Sequence, residues 1–281
     1  MKLAPPLLLL GLVACRAPES APAPASKPAS CEVQVVAHAD DDLLFMNPDV
    51  ATAARREKCT TTIVLTAGDA GHDATYWSAR EEGLREAYAE MVGVANAWEP
   101  RGRGVALRDA PGVALVFLRL PDGNVGGGGF EATANVSLER MWKEPSLRVP
   151  TVDGAASYTK DELVRAVAEL VGPARLVRTL DGSGRHEGRW SIETDHSDHA
   201  ASARFGAAAA ERRGVATRAY RGYDISREAP NLTAEEAALK RRLFLTYARH
   251  DEGICSPTKE CRPHAIYEAW IPRRFTVTPA P

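Results

Sequence analysis

Histidine and carboxylate side chains gather early in the chain, directly after a run rich in valine. Residues 37–42 read AHADDD. Three consecutive carboxylates repel one another unless a cation lies among them. His38 and Asp41 are three residues apart, so a tight turn lets both face one ion, and zinc accepts imidazole nitrogen and carboxylate oxygen as ligands. On its own, this segment fits a metal site and a solvated acidic turn equally well.

A second group of such residues lies much later in the chain. Residues 194–199 read TDHSDH and precede a predicted helix. His196 and His199 are three residues apart, and Asp198 could orient an imidazole through a hydrogen bond. Both groups follow predicted strands, and ligands gather beyond the carboxyl ends of parallel strands. Two groups of metal-ligand type at equivalent ends of one sheet predict a single metal site rather than two unrelated polar loops.

Strands and helices alternate between and around these two groups. A helix is predicted from Asn47-Pro48 as N-cap and first residue, and another from a capping box at Ser78. Further helices are predicted after the capping residue Thr159, from about Ala200 to Arg213, and after Thr233. Strands are predicted over 32–37, 60–66, 113–118 and 174–180, and near 215–220. The alternation predicts one α/β domain with a Rossmann-like, three-layer fold and a mainly parallel sheet.

The N-terminus has the pattern of a processed export signal. An apolar stretch follows Lys2, is too short to span a membrane, and ends in Leu-Val-Ala-Cys15, which resembles a bacterial lipobox. An ordinary secretory signal with an incidental cysteine is the alternative. We therefore expect a lipoprotein signal peptide over 1–15, an Ala/Pro-rich tether over 16–31 and a catalytic domain over 32–281. The protein would then be an exported bacterial lipoprotein with Cys15 lipidated, anchored to the outer membrane by that lipid alone.

Four cysteines remain if Cys15 carries the lipid. Cys31 and Cys59 each precede a predicted strand, and Cys255 and Cys261 bracket a short polar loop. In an oxidising compartment these two local pairs are the economical choice among three disulfide connectivities. A zinc site of four cysteines is the competing hypothesis, but no C-x2-C pair is present.

The charge of the chain excludes one class of partner. Its 35 basic and 37 acidic residues are mixed along the chain and give a net charge of -2. The sequence contains no block of like charge of the kind that would indicate a nucleic-acid partner.

The two chemical motifs resemble those of a known enzyme family. Residues 38–42 look like the A-H-P-D-D-E signature of the PIG-L/LmbE-like deacetylases, and residues 196–199 look like the H-P-D-H motif of that family. Residues 65–71 and 120–123 give supporting matches, and the resemblance covers about residues 32–213. It implies one zinc ion per chain, with His38, Asp41 and His199 as its ligands.

The same resemblance implies roles for neighbouring side chains. Asp40 would be the general base, and His196, oriented by Asp198, would stabilise the oxyanion or protonate the leaving amine. Alanine and serine replace the two motif prolines, and Asp42 replaces a glutamate, which puts the geometry of the turns in question but removes no ligand. The substrate-binding candidates, for which ordinary structural roles compete, are Arg80, Asp122 and Asn124. His72 and Trp190 are weaker candidates for lining the pocket.

The resemblance implies the removal of acetyl groups from an N-acetylglucosamine-type sugar or glycoconjugate, with release of acetate. A metal-dependent amidase acting on a non-sugar amide is one alternative. A sugar-binding lipoprotein without turnover is another. Asp40 argues against the second alternative, since a binding protein needs no general base.

Overall fold

A central sheet of seven strands organises the chain. The computed structural model describes residues 31–183, 194–255 and 263–277, together with Met1 and Cys261. Trp190, the signal peptide with Cys15 and the tether up to residue 30 lie outside the described residues, so what the sequence indicates for them stays a prediction. Over the described ranges, no helix combines the length and the apolar character that crossing a membrane requires.

The sheet is mainly parallel, as the sequence predicts. The described strands are β1 (Glu32–Val36), β2 (Thr60–Thr66), β3 (Trp98–Arg101), β4 (Gly104–Leu107), β5 (Ala110–Leu120), β6 (Val149–Pro150), β7 (Ser157–Tyr158), β8 (Leu176–Leu180) and β9 (Ala216–Tyr220). The strand order of the sheet is β3-β4-β5-β2-β1-β8-β9, with β3 and β4 forming an antiparallel hairpin at one edge. A separate ribbon pairs β6 with β7.

Helices cover both faces of this sheet. The described α-helices are α1 (Asp49–Thr52), α2 (Ala74–Val92), α3 (Leu138–Lys143), α4 (Lys160–Val171), α5 (Ser197–Arg213), α6 (Ala234–Ala248) and α7 (Ala265–Trp270), with π-helical turns over Asp42–Met46 and Ala53–Glu57. Successive strand side chains point to opposite faces, so Val36 packs into one core cluster with α2 and α6, while Val35 packs into another with α4 and α5. The predicted three-layer α/β architecture is therefore confirmed.

Helix starts follow local capping, with three differences from prediction. The capping boxes at Thr159 and Thr233 are confirmed. The capping box at Ser78 is wrong, because the Asp73 side chain accepts from Thr75 N at 2.9 Å and starts α2 earlier. α1 begins at Asp49, one residue later than Asn47-Pro48 predicts. α5 begins three residues before the predicted Ala200, since His196 caps it.

The described cysteines form the two pairs that the sequence favours. Cys31 and Cys59 are disulfide-bonded with their Cα atoms 4.8 Å apart, directly before the paired residues that open β1 and β2. Cys255 and Cys261 form the second disulfide, with a Cα separation of 4.9 Å. The first bridge lies at the amino ends of the parallel strands, opposite the end at which the histidine motifs lie.

Candidate metal centre and active site

Three side chains from the two motifs converge beyond the carboxyl end of β1. The Nε2 atom of His199 lies 2.9 Å from Asp41 Oδ1, and the Nδ1 atom of His38 lies 3.5 Å from the same oxygen. All three residues are buried. The strand end supplies His38 and Asp41, and the first turn of α5 supplies His199. The motifs are distant in sequence, and the parallel pairing of β1 with β8 brings them together.

The turn after β1 fixes the direction of the Asp41 carboxylate. Its Oδ2 accepts hydrogen bonds from the backbone N–H groups of Ala37 at 2.9 Å and His38 at 2.8 Å. Oδ1 is thereby left to face the two imidazoles. A carboxylate held in this way is pre-oriented to act as a ligand.

A further carboxylate orients His199 from behind. Asp195 Oδ1 lies 2.7 Å from His199 Nδ1. An ionised carboxylate can only accept, so Nδ1 carries a hydrogen, and Nε2 is the nitrogen that remains to bind an ion in the site. Metal-binding histidines commonly have this arrangement. The sequence contains a signal for it, an aspartate four residues before a histidine at a helix start, but Asp195 was not predicted as a functional residue.

The electrostatics of the three residues favour a positive charge between them. Burial alone would lower the pKa of His199, but the charges of Asp41 and Asp195 outweigh it and raise that pKa to about 10. Burial would also lower the pKa of His38, but the charge of Asp41 outweighs it and raises that pKa well above its usual value. His199 Nε2 is buried, and among the described residues it makes the close contact with Asp41 Oδ1 but no hydrogen bond of good geometry. Two imidazoles and one carboxylate are also the donor set of catalytic zinc sites, so these residues fit a zinc ion.

Asp40 lines the same cavity but stands apart from the three ligand candidates. Its Oδ1 lies 3.5 Å from Nη2 of the Arg80 guanidinium. Burial raises the pKa of Asp40 to about 6, against the opposing effect of Arg80. The neighbouring carboxylates Asp40 and Asp41 therefore occupy different environments, as their predicted roles of base and ligand require.

His196 is the N-cap residue of α5, which fixes its tautomer. Its Nδ1 accepts the backbone N–H of Asp198 at 3.2 Å. In the neutral ring the hydrogen must then be on Nε2, which lies 3.8 Å from Asp122 Oδ1. Burial and the neighbouring His38 lower the pKa of His196 to about 4. His196 is thus a neutral imidazole with a hydrogen-bond donor on the cavity side.

The Asp198 carboxylate contacts different groups from those that the sequence predicts. It lies 3.8 Å from His196 Nδ1, which is too far for a hydrogen bond. Its Oδ2 instead accepts the backbone N–H of Gly123 at 2.7 Å and lies 3.5 Å from His38 Nε2. Asp198 therefore orients His196 through its backbone, while its carboxylate holds the loop after β5. A side chain at position 123 would clash with that carboxylate.

The family model for PIG-L, described as GlcNAc-PI de-N-acetylase, matches residues 33–210, which is more than half of the 281 residues. The chain belongs to the PIG-L family. No curated protein matches it in sequence.

The chain is similar to several solved structures at low sequence identity. The A40926 pseudoaglycone deacetylase Dbv21 is 15% identical, with 82% of this chain and 86% of that chain covered and a TM-score of 0.47. The zinc-inhibited form of teicoplanin deacetylase Orf2 is 14% identical, with coverage of 79% and 85% and a TM-score of 0.46. The N,N'-diacetylchitobiose deacetylase from Pyrococcus horikoshii is 14% identical, with coverage of 86% and 75% and a TM-score of 0.47.

The weaker substrate-binding candidates occupy different places in this PIG-L chain. Asp122 lines the cavity, and its Oδ2 lies 3.7 Å from His38 Nε2. Asn124 is exposed, and its carbonyl accepts the Ser197 hydroxyl at 2.7 Å, so it holds the loop against α5. Arg80 is buried beside Asp40. His72 lines two neighbouring cavities rather than the one that holds the motif residues.

Aromatic residues close the cavity from a part of the chain that the PIG-L match does not reach. Tyr223 and Trp270 stack with ring centroids 4.7 Å apart, and both line the cavity with Tyr267. None was predicted, because they lie on short elements without a clear hydrophobic period. The cavity has a volume of about 130 Å³. Sites that enclose a drug-sized ligand measure roughly 300–1,000 Å³, so this cavity encloses only a small part of a substrate.

Proposed function

We propose that this protein is a zinc-dependent deacetylase that hydrolyses the acetamido group of an N-acetylglucosamine-type sugar or glycoconjugate. The observation that carries the proposal is the set of His38, Asp41 and His199, with Asp40 and His196 beside it in one small cavity. Membership of the PIG-L family, whose model is described as GlcNAc-PI de-N-acetylase, supports an N-acetylated sugar as the substrate.

The ligand set would hold one zinc ion through His38 Nδ1, the Asp41 carboxylate and His199 Nε2. Zinc supplies a Lewis acid that polarises the amide carbonyl and makes a water molecule more acidic. Three protein ligands leave coordination space for the reacting groups, as catalytic zinc sites do. Asp195 keeps the His199 lone pair directed into the site.

Asp40 moves the proton in the proposed reaction. Its carboxylate accepts a proton as the water oxygen bonds to the acetyl carbon. The carbon–nitrogen bond then breaks, and Asp40 returns the proton to the departing nitrogen. The second water proton leaves when the acetic acid product ionises, and the amine takes it up. The products are therefore acetate and the protonated amine, and atoms and charge balance. Arg80 lies close enough to hold Asp40 in place. Because the guanidinium is already protonated, it does not compete with Asp40 for the proton of the water.

His196 acts on the oxygen of the amide carbonyl. That oxygen gains negative charge when water adds, and a donor fixed in advance stabilises the charge at little reorganisation cost. The Nε2–H group of His196 is such a donor, because the N-cap bond to Nδ1 fixes the tautomer. His196 is buried, and the lower effective dielectric around a buried donor strengthens this electrostatic interaction.

The direct test is acetate release from a panel of N-acetylated mono- and oligosaccharides, with non-sugar acetamides beside them. We expect release from the sugars, loss of release after zinc is chelated, and recovery when zinc is restored. Release from the non-sugar amides alone would support the amidase alternative. Binding of the sugars without any release would support the sugar-binding alternative.

A further inference from the structure

We propose that Asp251 is a positioning residue for the reaction: through Arg80, it holds the Asp40 carboxylate in the orientation in which a base can act. This inference rests on the proposed function of Asp40. Asp251 follows α6 and lies beyond the residues that the family model matches.

Arg80 is the link between the two carboxylates. Its side chain is buried, with 8% of the residue exposed. Its Nε lies 2.8 Å from Asp251 Oδ2 and donates to the Tyr247 hydroxyl at 2.7 Å. Another guanidinium nitrogen, Nη2, lies 3.5 Å from Asp40 Oδ1. The third nitrogen, Nη1, donates to the carbonyl of Gly68, where any larger residue would clash with the guanidinium.

Asp251 is itself held from several directions. It is only 2% exposed. Its Oδ2 accepts the Tyr247 hydroxyl at 2.8 Å, and its Oδ1 accepts the backbone N–H of Gly253 at 3.0 Å and the Tyr76 hydroxyl at 3.3 Å. A carboxylate with this many donors has a fixed position, so the arginine paired with it is fixed as well.

The charges explain why a second carboxylate is needed. A buried arginine requires a close anionic partner, and guanidinium groups favour bidentate pairs with carboxylates. Without Asp251, the closest remaining anion to Arg80 would be Asp40, and a bidentate pair would engage both oxygens of the base. Asp251 makes the short contact with Arg80 Nε, so Asp40 makes only the longer contact with Arg80 Nη2. One Asp40 oxygen therefore stays available to the reacting water.

The experiment compares Asp251→Asn with a matched control, both assayed for acetate release. Asparagine keeps the size of the side chain but removes the charge that balances Arg80. We expect kcat to fall by about 10- to 100-fold, the effect of a misplacement of about 1 Å, with KM and zinc content unchanged. Asp251→Glu should recover part of kcat. The control is Glu32→Gln at the other end of β1, which removes the buried carboxylate that pairs with Arg178 and Arg175. Glu32 is 5% exposed and Arg178 is 4% exposed, similar to Asp251 and Arg80. It should leave kcat unchanged.

A second variant covers the case in which Asp251→Asn does not fold. Tyr247→Phe removes one hydroxyl that contacts both Arg80 and Asp251, and we expect a smaller fall in kcat at constant KM. Wild-type kcat in a folded, zinc-loaded Asp251→Asn or Tyr247→Phe protein would overturn the inference and leave the proposed function standing. A wild-type protein that releases no acetate from any substrate would instead overturn the proposed function, and the inference with it.

Discussion

Two adjacent carboxylates, for which we propose different roles, have different hydrogen bonds around them. Asp41 is anchored by two backbone N–H groups and faces the histidines, whereas Asp40 faces the cavity and Arg80. The proposed roles of ligand and base therefore follow from which carboxylate oxygens are free rather than from the residue type. This distinction cannot be read from the triple aspartate in the sequence, and only the family resemblance assigns the two roles beforehand.

The first prediction separates these two roles. Asp40→Asn should keep its zinc and lower kcat by about 10²- to 10⁴-fold, the usual contribution of a general base, with KM little changed. Asp41→Ala should lose zinc and activity together, because it removes a ligand. Zinc content by elemental analysis and steady-state kinetics check both outcomes. Wild-type turnover in Asp40→Asn would show that Asp40 is not the base.

The second prediction concerns Asp195, which contacts His199 rather than the ion. Asp195→Ala should weaken zinc binding by roughly 10- to 100-fold, since the imidazole loses the acceptor that fixes its tautomer. Competition with a chelator of known affinity measures the effect. Glu211→Gln, at the exposed far end of the same helix, is the control and should bind zinc as the wild type does. Equal affinities for the two variants would contradict the role assigned to Asp195.

At the scale of elements, the start of α5 assembles much of the site. Its N-cap fixes His196, its first turn carries His199, and Asp198 reaches the loop after β5. A helix starting near Ala200, as the sequence predicts, would have left both histidines in a loop. The difference arises because a histidine side chain can cap a helix through Nδ1, which the usual preference for Ser, Thr, Asp and Asn at that position does not include.

The third prediction tests the contact between this helix and the loop. Gly123→Ala places a Cβ against the Asp198 carboxylate. Overpacking of this kind typically costs about 1–3 kcal/mol of unfolding free energy, and here it should also lower kcat. Gly128→Ala, in the same loop, adds a Cβ with no described atom within 4 Å and should cost less than the first variant. Thermal unfolding and acetate release measure both variants, and equal losses would count against the contact.

The elements that were predicted differ physically from those that were missed. β2 has the bounds that the sequence predicts, because Thr60–Thr66 is rich in β-branched residues, and α4 and α6 carry complete capping boxes. The β3–β4 hairpin has a mostly exposed first strand that contains Pro100, so it lacks an alternating pattern. Contacts with residues distant in sequence fix such elements. Contacts of the same kind place Asp251 and Tyr247 against Arg80, and no local sequence pattern predicts them.

At the scale of the whole molecule, a stabilising disulfide and the candidate active site lie at opposite ends of the sheet. The Cys31–Cys59 disulfide joins β1 and β2 where they begin, and the proposed zinc ligands His38 and Asp41 lie where β1 ends. The core clusters on the two faces of the sheet lie between them. A change at the amino ends of the strands should therefore affect unfolding more than catalysis.

The fourth prediction uses this separation. The double variant Cys31→Ser/Cys59→Ser opens a loop with a sequence separation of 28 residues. Loss of the Cys31–Cys59 disulfide should lower the free energy of unfolding by about 3 kcal/mol on the chain-entropy model. Denaturant unfolding of the oxidised wild type and the double variant measures that difference. Below the transition, zinc content and kcat should equal those of the wild type, because the strand ends that carry His38 and Asp41 remain paired in the sheet. A fall in zinc affinity in the folded variant would instead show that the disulfide also shapes the metal site.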